Sequence, residues 1–511
     1  MRDDKTNAEK HKKYIDFYLG KDKKRFPSYD AEEEFWGIGI ENESYMMTEK
    51  MEEVKSEFLL NNTKRERYSI DYFLNYKMDE YKKTVSYIEK VTVPHYINSY
   101  MFQKMDIHGE HKTLYTKGIR MNQKFCGMTI HEYMKYMSKK YEKLFNNNKN
   151  VIFDGDTIEF TTNRFYKTTV NDTVNELKNI KHIYLREVNK YLANKFIFSG
   201  FGSDISFPSY NYGFVKYMSN PNNIGICNSG TYHINITLPT TLSLNGMKIK
   251  ELAAFKHTHQ NAIRFIQWVE PLIIALYGTP DILSSVSGGG CRSNGYSKGS
   301  LRLMMSRYIG LGTYDTDTME PGKKLNDFEY KRDASHYFNQ LHTTTDSPYN
   351  PPETIGYDFN YNKFKNHGIE LRVLDYFPEE YLTDVINFII LVCQYSIYNK
   401  NIKKPQHSKL WNELVVCCIR QGSEAMVSNE LYLQLREIFE MDSGDSCFSL
   451  LLLRRNKERT LMKVITKISD FLYDKYSKDT IVQKMSPSMK KMVWVDYNKI
   501  MREKYVKAIY P

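Results

Sequence analysis

The chain has 511 residues, 41% of them apolar and 14% aromatic, with 41 Tyr and a formal net charge of +11. A chain this long buries a core without metal or disulfide staples, and its seven Cys, odd in number and without CxxC or zinc spacing, exclude a disulfide scaffold or a zinc ribbon. The basic balance favours acidic partners such as nucleotides, but the Lys runs at Lys21–Arg25 and Lys139–Lys143 read as solvated helix faces, so no nucleic-acid partner is expected.

In chain order, residues 1–35 form a polar extension, and the charged stretch Met1–Lys13 lacks the apolar segment of a signal peptide. A strand is predicted over Trp36–Tyr45. Residues 46–150 are charged and Tyr-rich, and read as partly helical, partly irregular, closing on a loop tip at Asn146–Asn150. A strand over Thr157–Thr161 leads into a helix over Asp172–Phe196, with Thr173 and Glu176 fitting a capping box. A strand over Thr231–Leu238 is expected to stop at Pro239, and a helix over Lys248–Tyr277 ends before Gly278 and Pro280.

A Gly/Ser-rich loop, Ser284–Ser300, then precedes Leu301–Tyr308, and a fourth strand is predicted over Ile369–Asp375. Helical periodicity fills the rest: Tyr381–Tyr398, Leu410–Arg420, Leu431–Phe439, Thr460–Tyr473 and Met489–Tyr505. The irregular alternation, closed by a helical region over 379–511, predicts an α+β fold. The longest apolar run, Phe388–Cys393, is far shorter than the ~18 residues a bilayer span needs. Cysteines among apolar neighbours, as in Val415–Ile419, fit a reducing compartment. A cytoplasmic location with no membrane partner is therefore expected.

One pattern recurs in four places. Residues i and i+2 of a strand share a face. In Gly37–Glu43, Glu41 and Glu43 oppose Ile38 and Ile40; in Thr231–Ile236, His233 and Asn235 oppose Tyr232, Ile234 and Ile236. Glu159 opposes Ile158 and Phe160, and Glu370 with Arg372 opposes Ile369, Leu371 and Val373. An ordinary half-exposed strand also alternates, but its outer face favours Thr, Lys and Tyr rather than Glu, His and Asn. If the four strands share a sheet, they gather Glu41, Glu43, Glu159 and Glu370. Such carboxylates repel unless cations neutralise them, and oxygen donors with one imidazole suit Mg²⁺ or Mn²⁺ alongside nucleotide phosphates. Arg302 and Arg307 follow the Gly-rich loop and, with Arg372, offer bidentate donors for phosphoryl oxygens.

The order of these motifs resembles the carboxylate–amine ligase superfamily of glutamine synthetase, glutamate–cysteine ligase and the amidoligases. The resemblance covers roughly residues 36–375 and rests on Glu41-Asn42-Glu43, Glu159, His233-Ile234-Asn235, the Arg302/Arg307 pair and Glu370-Leu371-Arg372. Where glutamine synthetase places two Glu on its central strands, this chain offers Glu159; Tyr68, Asp71 and Asp106 are substitutes to consider.

The resemblance implies a glutamine synthetase-like antiparallel catalytic sheet within residues 36–378, interrupted by an insertion over 46–150. It implies ATP and two or more Mg²⁺ or Mn²⁺ ions. Glu41, His233 and Glu370 would hold one ion, and Glu43 and Glu159 another. Arg302, Arg307 and Arg372 would neutralise the transferring phosphoryl group, and Asn235 would contact nucleotide or substrate. The implied reaction moves the γ-phosphoryl of ATP to a carboxylate, after which an amine displaces phosphate. The carboxylate and amine would come from an amino acid, a peptide or a protein side chain. The alternative is a catalytically inactive member of the fold that serves as a binding or structural module. Other residues carry less: His257 and His259 do not share a helix face, His108 and His111 read as a surface turn, and Ser287–Cys291 reads as a connection.

Overall fold

The computed structural model describes residues 34–55, 90–104, 128–146, 150–154, 157–162, 170–192, 204–208, 231–241, 251–278, 313–323, 358–361, 368–374, 377–400, 403–441 and 459–476. Its strands are β1 (Glu34–Ser44), β2 (Met46–Lys55), β3 (Lys90–Ile97), β4 (Val151–Asp154), β5 (Thr157–Thr161), β6 (Ile205–Ser206), β7 (Tyr232–Thr241), β8 (Thr313–Asp315), β9 (Glu320–Lys323), β10 (Phe359–Tyr361), β11 (Ile369–Leu374), β12 (Met426–Val427) and β13 (Arg459–Thr460). Its helices are α1 (Ser99–Lys104), α2 (Ile130–Met137), α3 (Lys139–Asn146), α4 (Val170–Leu192), α5 (Leu252–Tyr277), α6 (Leu382–Tyr398), α7 (Lys409–Gln421), α8 (Asn429–Ile438) and α9 (Leu461–Tyr476).

The fold is α+β. All four strands that carry the polar pattern belong to one six-stranded sheet, in the order β10-β11-β7-β1-β5-β4, with every neighbouring pair antiparallel. Its apolar face is the one the alternation assigns: Ile38, Ile40, Ile158, Phe160, Ile234, Ile236, Ile369 and Leu371 are all buried. Helix α4 lies against β1 and β5, while α5 lies against β7 and β11. The Phe160 and Tyr184 rings meet edge-on at 5.2 Å in that layer. Helices α6, α7 and α9 pack on α5, so the C-terminal helices share one hydrophobic core with the sheet.

Among the described residues one helical stretch, Glu379–Tyr398, is long and apolar enough to cross a membrane; 83% of it is buried here, as a core helix. Cys393 and Cys418 are buried reduced thiols whose pKa values burial pushes up, consistent with a structural role.

Several expectations need correction. Strand β7 does not stop at Pro239 but runs to Thr241, because β7 is itself bulged there: Leu238 and Pro239 together stand opposite Trp36, and a bulge tolerates a missing N–H. Helix α4 begins at Val170, so Thr173 lies buried within its first turn rather than at the cap. The segment read as helical or irregular after residue 46 contains β2 and β3, which form a three-stranded sheet with β6 in the order β3-β2-β6. Pro94 is accommodated because β3 is at the edge of that sheet. The predicted helix Met489–Tyr505, the Ser284–Ser300 loop with the following Leu301–Tyr308, His108 and His111 lie outside the described residues.

Helix α5 carries Pro271 in its interior. Proline has no N–H, so the Gln267 carbonyl lacks its helical donor. The indole Nε1–H of the fully buried Trp411 donates to it instead, at 3.1 Å. This bond ties α7 to α5. Trp411→Phe keeps most of the ring and strands the carbonyl, so urea denaturation is expected to show a loss of about 1–3 kcal/mol; unchanged stability would show that the carbonyl finds another donor.

Candidate metal centre

The strand registers bring the predicted donors together. Glu43 of β1 sits directly opposite Glu159 of β5, and Glu41 sits opposite His233 of β7. On the other side of β7, Asn235 is paired with Glu370 of β11. Side chains opposite one another in antiparallel strands are close neighbours, so one carboxylate pair, a carboxylate–imidazole pair and a carboxylate–amide pair lie in adjacent rows on one face of the sheet. All of them are largely buried: Glu43 is 7% exposed, Glu159 6%, His233 3% and Glu370 2%.

The convergence point is His233 Nδ1. It lies 3.2 Å from Glu41 Oε2, 3.6 Å from Glu370 Oε1 and 3.8 Å from Glu43 Oε1. Donor atoms of Glu41, His233 and Glu370 all fall within 4.8 Å of one another, a spacing that can surround a single cation. Three carboxylates around one imidazole form a donor set for a divalent ion with mixed oxygen and nitrogen ligands, so the residues fit Mg²⁺ or Mn²⁺. Glu43 and Glu159 lie in the adjacent row as a second pair of oxygen donors.

Electrostatics at the site follow from burial. Desolvation raises the Glu43 carboxyl to about 7, with Asp154 and Glu41 pushing the same way and Arg372 opposing them. Burial by itself would lower the pKa of the Arg372 guanidinium, but Glu370, Glu43 and Glu41 outweigh it and the net direction is up. Arg372 donates from Nη1 to Glu370 Oε1 at 2.9 Å. The sequence pattern that paired Glu370 with Arg372 on one face is therefore an ion pair inside the site.

Two further residues belong here. Asn360, on the edge strand β10, is opposite Glu370 and donates to its Oε2 at 2.6 Å. Asp358 precedes it and fixes the strand: its carbonyl accepts the Arg372 N–H at 2.8 Å and its Oδ2 accepts the Tyr314 N–H at 3.0 Å. A three-residue strand is too short for alternation to single out Asn360, although Phe359 and Tyr361 do flank it in the right phase. Arg302 and Arg307, together with Tyr68, Asp71 and Asp106, lie outside the described residues. Of the two helix histidines, His259 is a buried structural residue: its Nδ1–H donates to the Phe255 carbonyl at 2.7 Å and its Nε2 accepts the Leu238 N–H at 3.0 Å.

No family model matches the chain. Over 481 residues it is 41% identical to a protein of Acanthamoeba polyphaga mimivirus described as "Uncharacterized protein R704", in an alignment covering 92% of this chain and 80% of that protein.

Proposed function

The chain belongs to one family with that mimivirus protein, and we propose that it is an ATP- and Mg²⁺-dependent carboxylate–amine ligase built on a glutamine synthetase-like catalytic sheet. The observation that carries this reading is the convergence of Glu41, His233 and Glu370 from three strands of one antiparallel sheet, with Glu43 and Glu159 beside them. The order of those residues along the chain is also the order in which the ligase superfamily carries its metal-binding strands.

In this reading Glu41, His233 and Glu370 hold one Mg²⁺ or Mn²⁺, and Glu43 with Glu159 hold a second. Bound there, the ions would neutralise phosphate charge, which is most of what phosphoryl transfer requires. Arg372 would share that task, a role supported by its ion pair with Glu370. Arg302 and Arg307 are proposed to supply further donors to the phosphoryl oxygens. The γ-phosphoryl of ATP passes to a substrate carboxylate oxygen and ADP leaves. An amine then bonds to the acyl carbon, loses a proton and expels phosphate. The two organic substrates are an amino acid, peptide or protein side chain bearing the carboxylate, and an amine.

A second reading is an inactive member of the fold, favoured by the presence of Glu159 alone where the superfamily places two central Glu. Calorimetric titration with a non-hydrolysable ATP analogue separates the two readings. Mg²⁺-dependent binding by wild type, weakened at least 100-fold in Glu41→Ala, is the expected result. A well-folded wild type that binds no nucleotide with either Mg²⁺ or Mn²⁺ would overturn the ligase reading.

A further inference from the structure

Of the three carboxylates around His233, Glu41 and Glu370 each turn one oxygen toward the imidazole and the other toward an amide. Glu41 places Oε2 at 3.2 Å from His233 Nδ1, while its Oε1 accepts the Nδ2–H of Asn235 at 3.1 Å. Glu370 divides its oxygens in the same way: Oε1 lies 3.6 Å from the same nitrogen and is shared with the Arg372 guanidinium at 2.9 Å, and Oε2 accepts the Nδ2–H of Asn360 at 2.6 Å. An ionised carboxylate only accepts hydrogen bonds, so both amides must present nitrogen to it. Asn235, Glu370 and Asn360 occupy one cross-strand row on β7, β11 and β10. Glu370 is therefore flanked by two amides, of which the outer one, Asn360, donates to it, while Asn235 donates from β7 to Glu41 on β1.

We propose that Asn360, acting with Asn235, is a positioning residue that ties back the outer oxygen of each carboxylate, so that Glu370 and Glu41 each offer a divalent cation a single oxygen. The inference rests on the metal centre proposed above. Mg²⁺ and Mn²⁺ favour six donors in octahedral geometry, and a carboxylate that chelates through both oxygens occupies two of those positions. Two single-oxygen ligands and one imidazole leave three positions for water or phosphoryl oxygens. The amide partners thus decide how much of the ion stays available to substrate. Asn360 can do this because its short edge strand is pinned on both sides, by Asp358 to Tyr314 and Arg372 and by the fully buried Phe359.

The probe is Mn²⁺ alone, titrated into the full chain without nucleotide. Electron paramagnetic resonance of the free ion gives affinity, and water-proton relaxation reports the water left on the bound ion. The triad site is identified as the one lost in Glu370→Gln. In Asn360→Ala, Glu370 is free to chelate, so relaxation enhancement per bound ion should fall by about a third. Affinity should weaken about tenfold or more, as expected when the partner of a ligating carboxylate is removed, with the melting transition retained. If Asn360→Ala does not fold, Asn235→Ala applies the same test to Glu41. A folded variant with wild-type affinity and relaxation overturns the proposal. Wild type that binds no Mn²⁺ overturns both this and the metal centre. Normal Mn²⁺ behaviour with the expected Asn360→Ala effect, but no nucleotide binding, supports this inference while the ligase reading falls.

Discussion

Glu43→Gln is expected to make the metal-free protein more stable while weakening its hold on Mg²⁺. Burial lifts the Glu43 carboxyl from 4.5 to about 7. At 1.36 kcal/mol per pH unit, keeping it ionised in the fold costs about 3 kcal/mol. The folded chain retains the Glu43 proton over a window, from about 4.5 to 7, in which the unfolded chain has lost it. Its contribution to stability is therefore full at low pH and declines as pH rises through that window. Glutamine carries no charge to desolvate, so at pH 8 without metal the variant should gain up to about 3 kcal/mol in urea denaturation. Saturating Mg²⁺ should reverse the ranking, because wild type alone has the carboxylate that the ion stabilises. Equal stability of the two proteins at pH 8 would show that Glu43 is solvated or paired well enough to ionise freely.

The same variant exposes an opposing slope. Burial lowers His259 to about 4, and protonating its Nε2 would break the bond from the Leu238 N–H. A histidine depressed below 6.5 contributes stability that is complete above that pH and is lost as pH falls toward 4. His131, half-buried beside Tyr141 and also lowered to about 4 by desolvation, acts in the same direction. In wild type the Glu43 slope offsets part of this; in Glu43→Gln, stability should fall more steeply between about pH 6.5 and 4.

These couplings also mark how far the sequence alone can be read. The alternation in Gly37–Glu43, Thr231–Ile236 and Ile369–Val373 revealed which face each residue takes, because strand period depends on the backbone alone. Register was out of reach. That Glu43 meets Glu159 while Glu41 meets His233 depends on which strands pair and with what offset, a property of the assembled sheet. Asn235 illustrates the consequence: alternation gives its face, but its partner, Glu41 on the neighbouring β1, follows from the pairing of the strands. Asn360 was missed because its strand is three residues long and exists only by pairing with β11. Pro239 is a related case, since the bulge that tolerates it exists only in the register of β7 against β1.

Gly368→Ala should produce one of the larger stability losses available to a single methyl group. Gly368 immediately precedes β11, and its N–H donates to Thr237 Oγ1 at 3.2 Å. A Cβ there would overlap the His259 ring and stand 2.7 Å from the Ile236 carbonyl oxygen. Neither neighbour can give way cheaply. His259 is fully buried and bonded at both ring nitrogens, and Ile236 is backbone in a central strand. The remaining relief is to push β11 away from β7 and α5. Overpacking of this kind costs about 3 kcal/mol, measurable as a lower urea midpoint. Because Glu370 is two residues downstream and held opposite Asn235, the same displacement should move its carboxylate off His233 and weaken Mn²⁺ binding. A fully stable variant with weakened Mn²⁺ binding would mean the strand yields without penalty. A fully stable variant with normal Mn²⁺ binding would mean that the His259 ring does not occupy the space behind Gly368 in solution.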